Sequence, residues 1–246
     1  MAAHETLICG HGTPIWFERR PFEFTSVDVD AVAENEDQMR LELFYDTVSP
    51  WSYLCFETLC RYRQAWQLDL VLRPAFLGGV MKATGKSPPA ALPARGVYLL
   101  RDLARSSGQF QVPLTFPSEF PTNTIGAMRM LTLVAQEFPE QHEALARCLW
   151  QRYWGLGKDV VQSESLRAAC EAAGVELTVV ERSADDGVKA RLRAATEEAV
   201  DRGAFGFPAM FVMDADGEEM YFGSDRLSLI AFDRGLTWSG PQGPVM

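Results

Sequence analysis

The stretch Leu41-Glu42-Leu43-Phe44-Tyr45-Asp46-Thr47-Val48-Ser49-Pro50-Trp51-Ser52-Tyr53-Leu54 begins with the pattern of a β-strand and continues with that of a helix. Its first half is apolar and aromatic, which is typical of a strand. Pro50 suits the first turn of a helix, because an N–H at that position would have had no partner within the helix. Ser49 therefore lies at a helix N-terminus, where free N–H groups and the helix dipole stabilise an anion. From these residues alone, a plain N-cap is the favoured role for this serine.

The residues that follow predict a parallel pair of strands. Residues 51–66 have the spacing of an amphipathic helix, and residues 68–73 form a second short apolar run. Strand, helix and strand in so few residues require a parallel pairing with a right-handed crossover. Residues 74–93 are rich in glycine and proline and are predicted to be a long loop.

The middle of the chain is helical, and strands return near its end. Helices are predicted over residues 97–106, 125–137, 141–153, 163–173 and 188–202. Two strands at 207–213 and 218–222 are joined by a turn, and a last helix is predicted at 226–233. The resulting α/β fold has a small mixed sheet with helices on both faces, which is the thioredoxin-like arrangement with a large all-helical insertion.

This pattern divides the chain into four parts. Residues 1–40 lack a sustained period and become acidic, and are predicted to be a poorly ordered N-terminal extension. Residues 41–75 and 204–237 would form the thioredoxin-like domain, residues 76–203 the helical insertion domain, and residues 238–246 an irregular tail.

Composition excludes several classes of function. The 246 residues are 47% hydrophobic, as in a globular protein, yet no uncharged apolar run approaches the ~18 residues of a membrane helix. A net charge of −10 argues against binding nucleic acid, which requires a concentrated basic surface. Five cysteines without a C-x-x-C pair, and three histidines without ligand spacing, predict neither a disulfide scaffold nor a metal site.

The same residues bear on the compartment. Cysteines of this kind are expected to be reduced thiols of an intracellular protein. The N-terminal extension lacks the apolar core of a signal peptide and is too acidic for a convincing transit peptide, so a mitochondrial and a cytoplasmic location both stay open. The ending Gly243-Pro244-Val245-Met246 does not resemble a peroxisomal signal.

The thioredoxin-like outline gives Ser49 and Pro208 a joint meaning. In such folds the reactive group lies at the start of the first helix, and a cis proline before the third strand faces it. Ser49-Pro50-Trp51-Ser52 contains no sulfur at that place, which excludes a thiol–disulfide relay there. A hydroxyl can instead donate a hydrogen bond to the thiolate of a bound substrate, and with the helix dipole it could lower a thiol pKa by about two units.

Several motifs in register resemble the kappa-class glutathione transferases over about residues 41–240. They are Tyr45-Asp46-x-x-Ser49-Pro50-Trp51-Ser52, Leu72-Arg73-Pro74, Met81-Lys82, Pro88-Pro89, Ala127-Met128-Arg129, Gly203-Ala204-Phe205-Gly206-Phe207-Pro208 and Phe222-Gly223-Ser224-Asp225-Arg226. The resemblance implies glutathione as co-substrate, a small electrophile as second substrate, no metal, and a homodimer.

Site residues follow from the resemblance position by position. It implies that Ser49 is the catalytic hydroxyl that activates the sulfur of glutathione. Phe207, before the cis Pro208, would hold the cysteinyl unit through its backbone. Ser224 and Asp225 would bind the γ-glutamyl end, although a plain helix cap is the alternative role for both.

The glycyl end of glutathione is where this sequence departs most from the family. Lys86 stands where the family has an asparagine that contacts glutathione, so a point charge replaces that contact or the contact is lost. Arg95 matches a basic position of the family near the same end. Pro50 and Trp51, the latter in place of the usual tyrosine, would form a wall of the site. Asp102 is expected to approach the glutathione site of the partner subunit.

Three functions are carried forward. The first is conjugation of glutathione to small electrophiles. The second is an isomerase of the 2-hydroxychromene-2-carboxylate type, which resembles the first in fold and serine but regenerates glutathione. The third is a non-catalytic thioredoxin-like binding or folding factor, which would have no affinity for glutathione.

Overall fold

A four-stranded mixed sheet organises the part of the chain that the computed structural model describes, residues 39–214 and 217–244. Its strands are β1 (Arg40–Tyr45), β2 (Asp69–Pro74), β3 (Ala209–Asp214) and β4 (Gly217–Phe222). The order across the sheet is β2, β1, β3, β4. Strand β1 runs parallel to β2, whereas β3 is antiparallel to both β1 and β4. The predicted α/β fold is confirmed, and so is the parallel pairing of β1 and β2, which are joined through a helix. The right-handed crossover stays a prediction.

Nine α-helices lie within the described residues. They are α1 (Pro50–Tyr62), α2 (Leu77–Thr84), α3 (Pro93–Phe110), α4 (Ile125–Glu137), α5 (Pro139–Trp150), α6 (Ser163–Ala173), α7 (Thr178–Arg182), α8 (Asp186–Asp201) and α9 (Leu227–Asp233). A π-helical turn (Gln151–Gly155) extends α5, and a 3-10 turn (Ser224–Arg226) precedes α9. None of the described helices combines the length and apolar character that crossing a membrane requires.

The loop predicted over residues 74–93 is wrong in part, because α2 lies inside it. Two glycines near its start lower its intrinsic helix propensity. A contact that is remote in sequence compensates: the carboxylate of Asp46 accepts a hydrogen bond of 2.8 Å from the Leu77 N–H and so caps the helix. Gly85, at a φ of +72°, ends it. Helix α7 was not predicted either, and α1 ends at Tyr62, four residues earlier than expected.

Both faces of the sheet are covered. On one face, Leu41, Leu43 and Tyr45 of β1 enter the larger core with α1 and the helices of the middle segment. Trp150 is central to that core, with ring centroids 4.8 Å from Tyr45 and 5.7 Å from Tyr53. Period-two alternation of a strand sends the neighbouring side chains to the opposite face.

The second face is covered by α2 and α8. Phe44 and Phe211 pack there edge to face, with centroids 5.4 Å apart, against Val80 of α2 and Ala199 of α8. Both helices belong to the segment predicted as an insertion, so part of that segment completes the sheet layer. The division into a thioredoxin-like domain and an insertion domain stays a prediction.

The structure describes most of the predicted C-terminal tail but little of the predicted N-terminal extension. Of the predicted N-terminal extension, only Met39 and Arg40 are described, and Arg40 already begins β1; residues 1–38 lie outside the described part. Residues 238–244, the described part of the predicted irregular tail, contain neither helix nor strand. That tail is nevertheless packed, since Trp238 stacks on Tyr62 with ring centroids 4.9 Å apart.

Candidate active site

Ser49 lies at the junction between β1 and α1. It is the N-cap of α1, with φ −87° and ψ 113°, and its Oγ accepts a hydrogen bond of 3.1 Å from the Ser52 N–H. The same hydroxyl donates to the carbonyl oxygen of Phe207 at 3.3 Å. The capping role and a role in a site are therefore compatible, because accepting from Ser52 leaves the hydroxyl proton available for a second partner.

The partner of Ser49 comes from the far end of the chain. The peptide bond between Phe207 and Pro208 is cis, as predicted, and it directly precedes β3. Because β3 is antiparallel to β1, the start of β3 meets the end of β1, where Ser49 lies. Sheet topology thus brings the serine and the cis proline together.

A cavity of about 750 Å³ opens beside this pair. Nine of the ten predicted site residues line it: Ser49, Pro50, Trp51, Lys86, Asp102, Phe207, Pro208, Ser224 and Asp225. Arg95 is absent from this lining. Asp102, predicted to approach the site of a second subunit, lines the cavity of its own chain.

One end of the cavity is formed by the turn before α9. Ser224 is buried and Asp225 is exposed, with its carboxylate 3.2 Å from the Arg226 guanidinium. Gly223 holds a φ of +102°, and its N–H donates to the Pro208 carbonyl at 3.0 Å. The turn is thereby tied to the cis-proline segment that faces Ser49.

The Lys86 ammonium lies over two adjacent aromatic rings at the cavity wall, those of Phe205 and Phe222. Its Nζ is 4.2 Å from the ring centroid of Phe222 and 4.8 Å from that of Phe205, which is cation–π geometry. Burial lowers the pKa of this lysine. Gly206 provides the space, because a Cβ at that position would lie 2.7 Å from Nζ. The positive charge of Lys86 is therefore held at a defined position in the cavity wall.

Asp46 is a buried carboxylate whose role was missed from the sequence. Its oxygens accept hydrogen bonds from the Thr124 hydroxyl at 2.6 Å, the Val48 N–H at 3.0 Å and the Leu77 N–H at 2.8 Å. Burial raises the pKa of Asp46, while these three hydrogen bonds oppose the shift. The carboxylate joins the Ser49 loop to the starts of α2 and α4. The available signal was an acid directly after an apolar strand, three residues before the serine.

The rest of the cavity is largely apolar and aromatic. Phe120 belongs to its wall and packs edge to face on Trp154, with ring centroids 5.5 Å apart. The peptide bond between Phe120 and Pro121 is also cis, which was not predicted. Further apolar residues line the cavity: Trp51, Phe76, Met81, Leu99 and Phe110. No helix or strand is predicted between residues 107 and 124, because this proline-rich segment carries no period that would mark a binding wall.

No described cysteine lines the cavity. Cys55, the nearest to Ser49 in sequence, is fully buried on α1, and burial raises the pKa of its thiol. Its Sγ lies 3.4 Å from the sulfur of Met210. Within residues 39–214 and 217–244, no group of three His, Cys, Asp or Glu side chains is placed to hold a metal ion.

Comparison with known proteins identifies the family. A family model described as a DSBA-like thioredoxin domain matches residues 40–232. The chain is 41% identical to glutathione S-transferase kappa 1 of Rattus norvegicus over 216 residues, which cover 84% of this chain and 95% of the relative. The chain belongs to the kappa glutathione S-transferase family. The Homo sapiens member of the same name matches this kappa-family chain with the same identity and coverage.

A structural neighbour places the kappa-family chain among wider relatives. A solved structure of 2-hydroxychromene-2-carboxylate isomerase superposes with a TM-score of 0.71 and 27% identity, covering 80% of this chain and 94% of that one. The resemblance read from the motifs and the thioredoxin-like fold are both confirmed. The matched range 40–232 includes every residue that lines the cavity.

Proposed function

We propose that this chain conjugates glutathione to small electrophiles, with the Ser49 hydroxyl stabilising the glutathione thiolate. The observation that carries the proposal is the position of that hydroxyl. It lies at the N-terminus of a 13-residue helix, in the wall of a large cavity, opposite the Phe207 carbonyl. Membership in the kappa family supports the same activity.

The hydroxyl would act by turning its proton toward the sulfur. In the structure that proton is directed to the Phe207 carbonyl over a long 3.3 Å contact, which a thiolate would replace with a charge-assisted bond. The Ser52 N–H continues to donate to Oγ, and this polarises the hydroxyl toward the sulfur. A bond worth about 1.5–3 kcal/mol lowers the thiol pKa from ~8.5 by about one to two units.

The two charged ends of glutathione would find complementary groups at the ends of the cavity. The exposed carboxylate of Asp225, beside the buried Ser224, is suited to the γ-glutamyl ammonium. Lys86 is suited to the glycyl carboxylate as a point charge. Arg95 is absent from the cavity lining, so its part in binding rests on the family resemblance alone.

The second substrate would occupy the apolar side of the cavity. Phe110, Phe120 and Leu99 offer hydrophobic contact there, so a small apolar or aromatic electrophile fits better than a charged one. The thiolate sulfur would form a bond to the electrophilic carbon, and the leaving group would depart with the bonding electron pair. The expected homodimer would cover apolar side chains exposed along α3, among them Val97, Tyr98 and Leu100.

The alternative is glutathione-dependent isomerisation, favoured by the likeness to the isomerase structure. The same thiolate would add to the substrate and then leave, so that glutathione is regenerated. Conjugation instead consumes one glutathione for each product formed. Stoichiometry therefore separates the two functions without reference to any particular residue.

The test begins with calorimetric titration of glutathione, with S-methylglutathione as control. We expect saturable binding of both, with a proton released on binding only for glutathione, because the methylated sulfur cannot ionise. A panel of aryl halides and epoxides, followed by mass spectrometry, should then show S-conjugates with matching loss of glutathione. Turnover without loss of glutathione would favour the isomerase, and absence of saturable binding would overturn both functions in favour of a binding factor.

A further inference from the structure

A second cavity of about 690 Å³ lies on the other side of α2. It is bounded by α4 and by the two helices that cover the second face of the sheet, α2 and α8. Phe76, at the start of α2, is the one described residue that lines both cavities. None of the proposed glutathione contacts lies in the second cavity, so it is a separate site.

The floor of this cavity is apolar and firmly built. Ile125, Leu192 and Val200 line it together with Phe76. Helices α2 and α8 approach closely at Gly79, where a Cβ would lie 2.9 Å from the Thr196 methyl group. The Thr196 hydroxyl also accepts a hydrogen bond of 3.0 Å from the Phe76 N–H.

The remaining walls carry more positive than negative charge. Four cations line the cavity, Lys82, Arg129, Lys189 and Arg193, together with two carboxylates, Glu197 and Asp201. Lys189 is paired with Asp186 at 3.0 Å. The other three cations form no ion pair with any described residue. The cavity thus presents a net positive charge on an acidic protein.

Arg129 is the side chain that points to a ligand. Its Nε is buried and has no hydrogen-bond partner among the described residues. A buried donor of this kind costs free energy until an acceptor satisfies it. Arg129 belongs to the Ala127-Met128-Arg129 motif, yet it does not line the first cavity, so the proposed conjugation leaves it without a role.

We propose that the second cavity binds a small amphiphilic carboxylate. The planar guanidinium of Arg129 matches a carboxylate through two parallel hydrogen bonds. An apolar body would then contact Phe76, Ile125 and Leu192. Glu197 and Asp201 on the same wall would repel a multiply charged anion, which favours one carboxylate over a phosphate ester or a nucleotide.

Decanoate is the probe for this site, titrated by calorimetry into the full-length chain at low salt. We expect saturable binding with one decanoate per chain. Decan-1-ol, which has the same apolar body without the charge, should bind at least about tenfold more weakly. Arg129→Gln should weaken decanoate binding by about tenfold or more. Arg105→Gln removes the same charge from an exposed position on α3 that lines neither cavity, and should leave the affinity unchanged.

Two further measurements make the test decisive. Circular dichroism checks that Arg129→Gln is folded. Lys82→Ala, at an exposed position of the same cavity, should also weaken decanoate binding. Saturating glutathione should not displace decanoate. The proposal is overturned if glutathione competes with decanoate and Arg129→Gln leaves decanoate binding unweakened. That result would mean that decanoate binds in the first cavity. It is also overturned if inorganic phosphate displaces decanoate at equal concentration, or if no saturable binding occurs.

Discussion

Ser49→Ala removes one oxygen from the centre of the proposed active site. The structure gives that oxygen two partners, the Ser52 N–H at 3.1 Å and the Phe207 carbonyl at 3.3 Å. Loss of the first is loss of an N-cap, which costs about 1 kcal/mol of unfolding free energy. Loss of the second matters little in the free chain, because the contact is long, but it removes the donor that the thiolate would use.

The effect on chemistry is larger than the effect on stability. Without a charge-assisted bond of about 1.5–3 kcal/mol, the pKa of the bound thiol should rise by about one to two units. Near neutral pH, the ionised fraction of the bound thiol, and with it conjugation, should therefore fall by about 8- to 25-fold. The deficit should shrink as pH rises through the thiol pKa of the variant, because the sulfur then ionises without help. At about pH 5.5, where the parent and the Ser49→Ala variant both bind glutathione with its thiol protonated, the two should have the same affinity for glutathione.

Two variants separate these effects. Ser49→Gly also lacks the hydroxyl, but glycine is tolerated at an N-cap and should cost only a few tenths of a kcal/mol. Ser52→Ala is the matched control, since the Ser52 hydroxyl is buried without a partner among the described residues and does not line the cavity. We expect Ser49→Gly to behave as Ser49→Ala in the pH–rate profile, and Ser52→Ala to retain the parent profile.

The assay follows the pH dependence of kcat/KM and the ultraviolet absorbance of the bound thiolate. A parent-like rate and pH profile in both Ser49 variants would refute the assignment of the thiolate donor to Ser49. A fall in rate that is independent of pH would refute the ionisation argument, because misplacement of the substrate produces such a uniform loss.

Two further predictions concern the wall of the cavity and the core. In Gly223→Ala, the alanine must hold a φ of +102° and its Cβ would lie 2.5 Å from the Asp225 carboxylate, so KM for glutathione should rise with little change in kcat. Gly240→Ala is the control, because that position has a φ of +98° but open space around it. An equal KM for glutathione in both variants would remove Asp225 from the glutathione contacts. Burial lowers the pKa of His142, hydrogen-bonded to Tyr45 at 2.9 Å, from 6.5 to about 4. As pH falls, the His142 imidazole is therefore protonated in the unfolded chain before it is protonated in the folded chain. Up to about 3 kcal/mol of unfolding free energy should be lost as pH falls from about 6.5 to 4. Urea denaturation at both pH values should show a smaller loss of unfolding free energy in His142→Gln than in the parent. An equal loss in the two proteins would contradict the assignment of this pH dependence to His142.

Local signals were sufficient for the centre of the site. The apolar run before Ser49, the proline after it and the proline at position 208 each have a meaning that depends on a few neighbours. The order of elements then placed them together, because an antiparallel β3 must start where β1 ends. Helix α2 shows the opposite case, since its cap is the side chain of Asp46, 31 residues earlier in the chain. No window around Leu77 contains that residue.

The walls of both cavities were harder to predict for a related reason. Phe120 lies in an irregular segment, where no period distinguishes a side chain that faces a cavity from one that faces solvent. Arg129 lies on a helix whose periodicity was recognised, but its cavity exists only because α2 and α8 meet at Gly79. Arg95 lies on α3 but not in the cavity lining, so its predicted part in binding still depends on the match of its charge to the family position.

The hydrogen bond between Ser49 and Phe207 joins positions 158 residues apart. A ribosome therefore makes the serine early and its counterpart late, after every helix from α1 to α8 has been synthesised. A nascent or truncated chain that ends before Phe207 carries the hydroxyl without the opposite wall. Any ligand that needs both would select completed, folded chains and stabilise them by mass action. Availability of that ligand in the cell would then influence how much of the newly made protein survives.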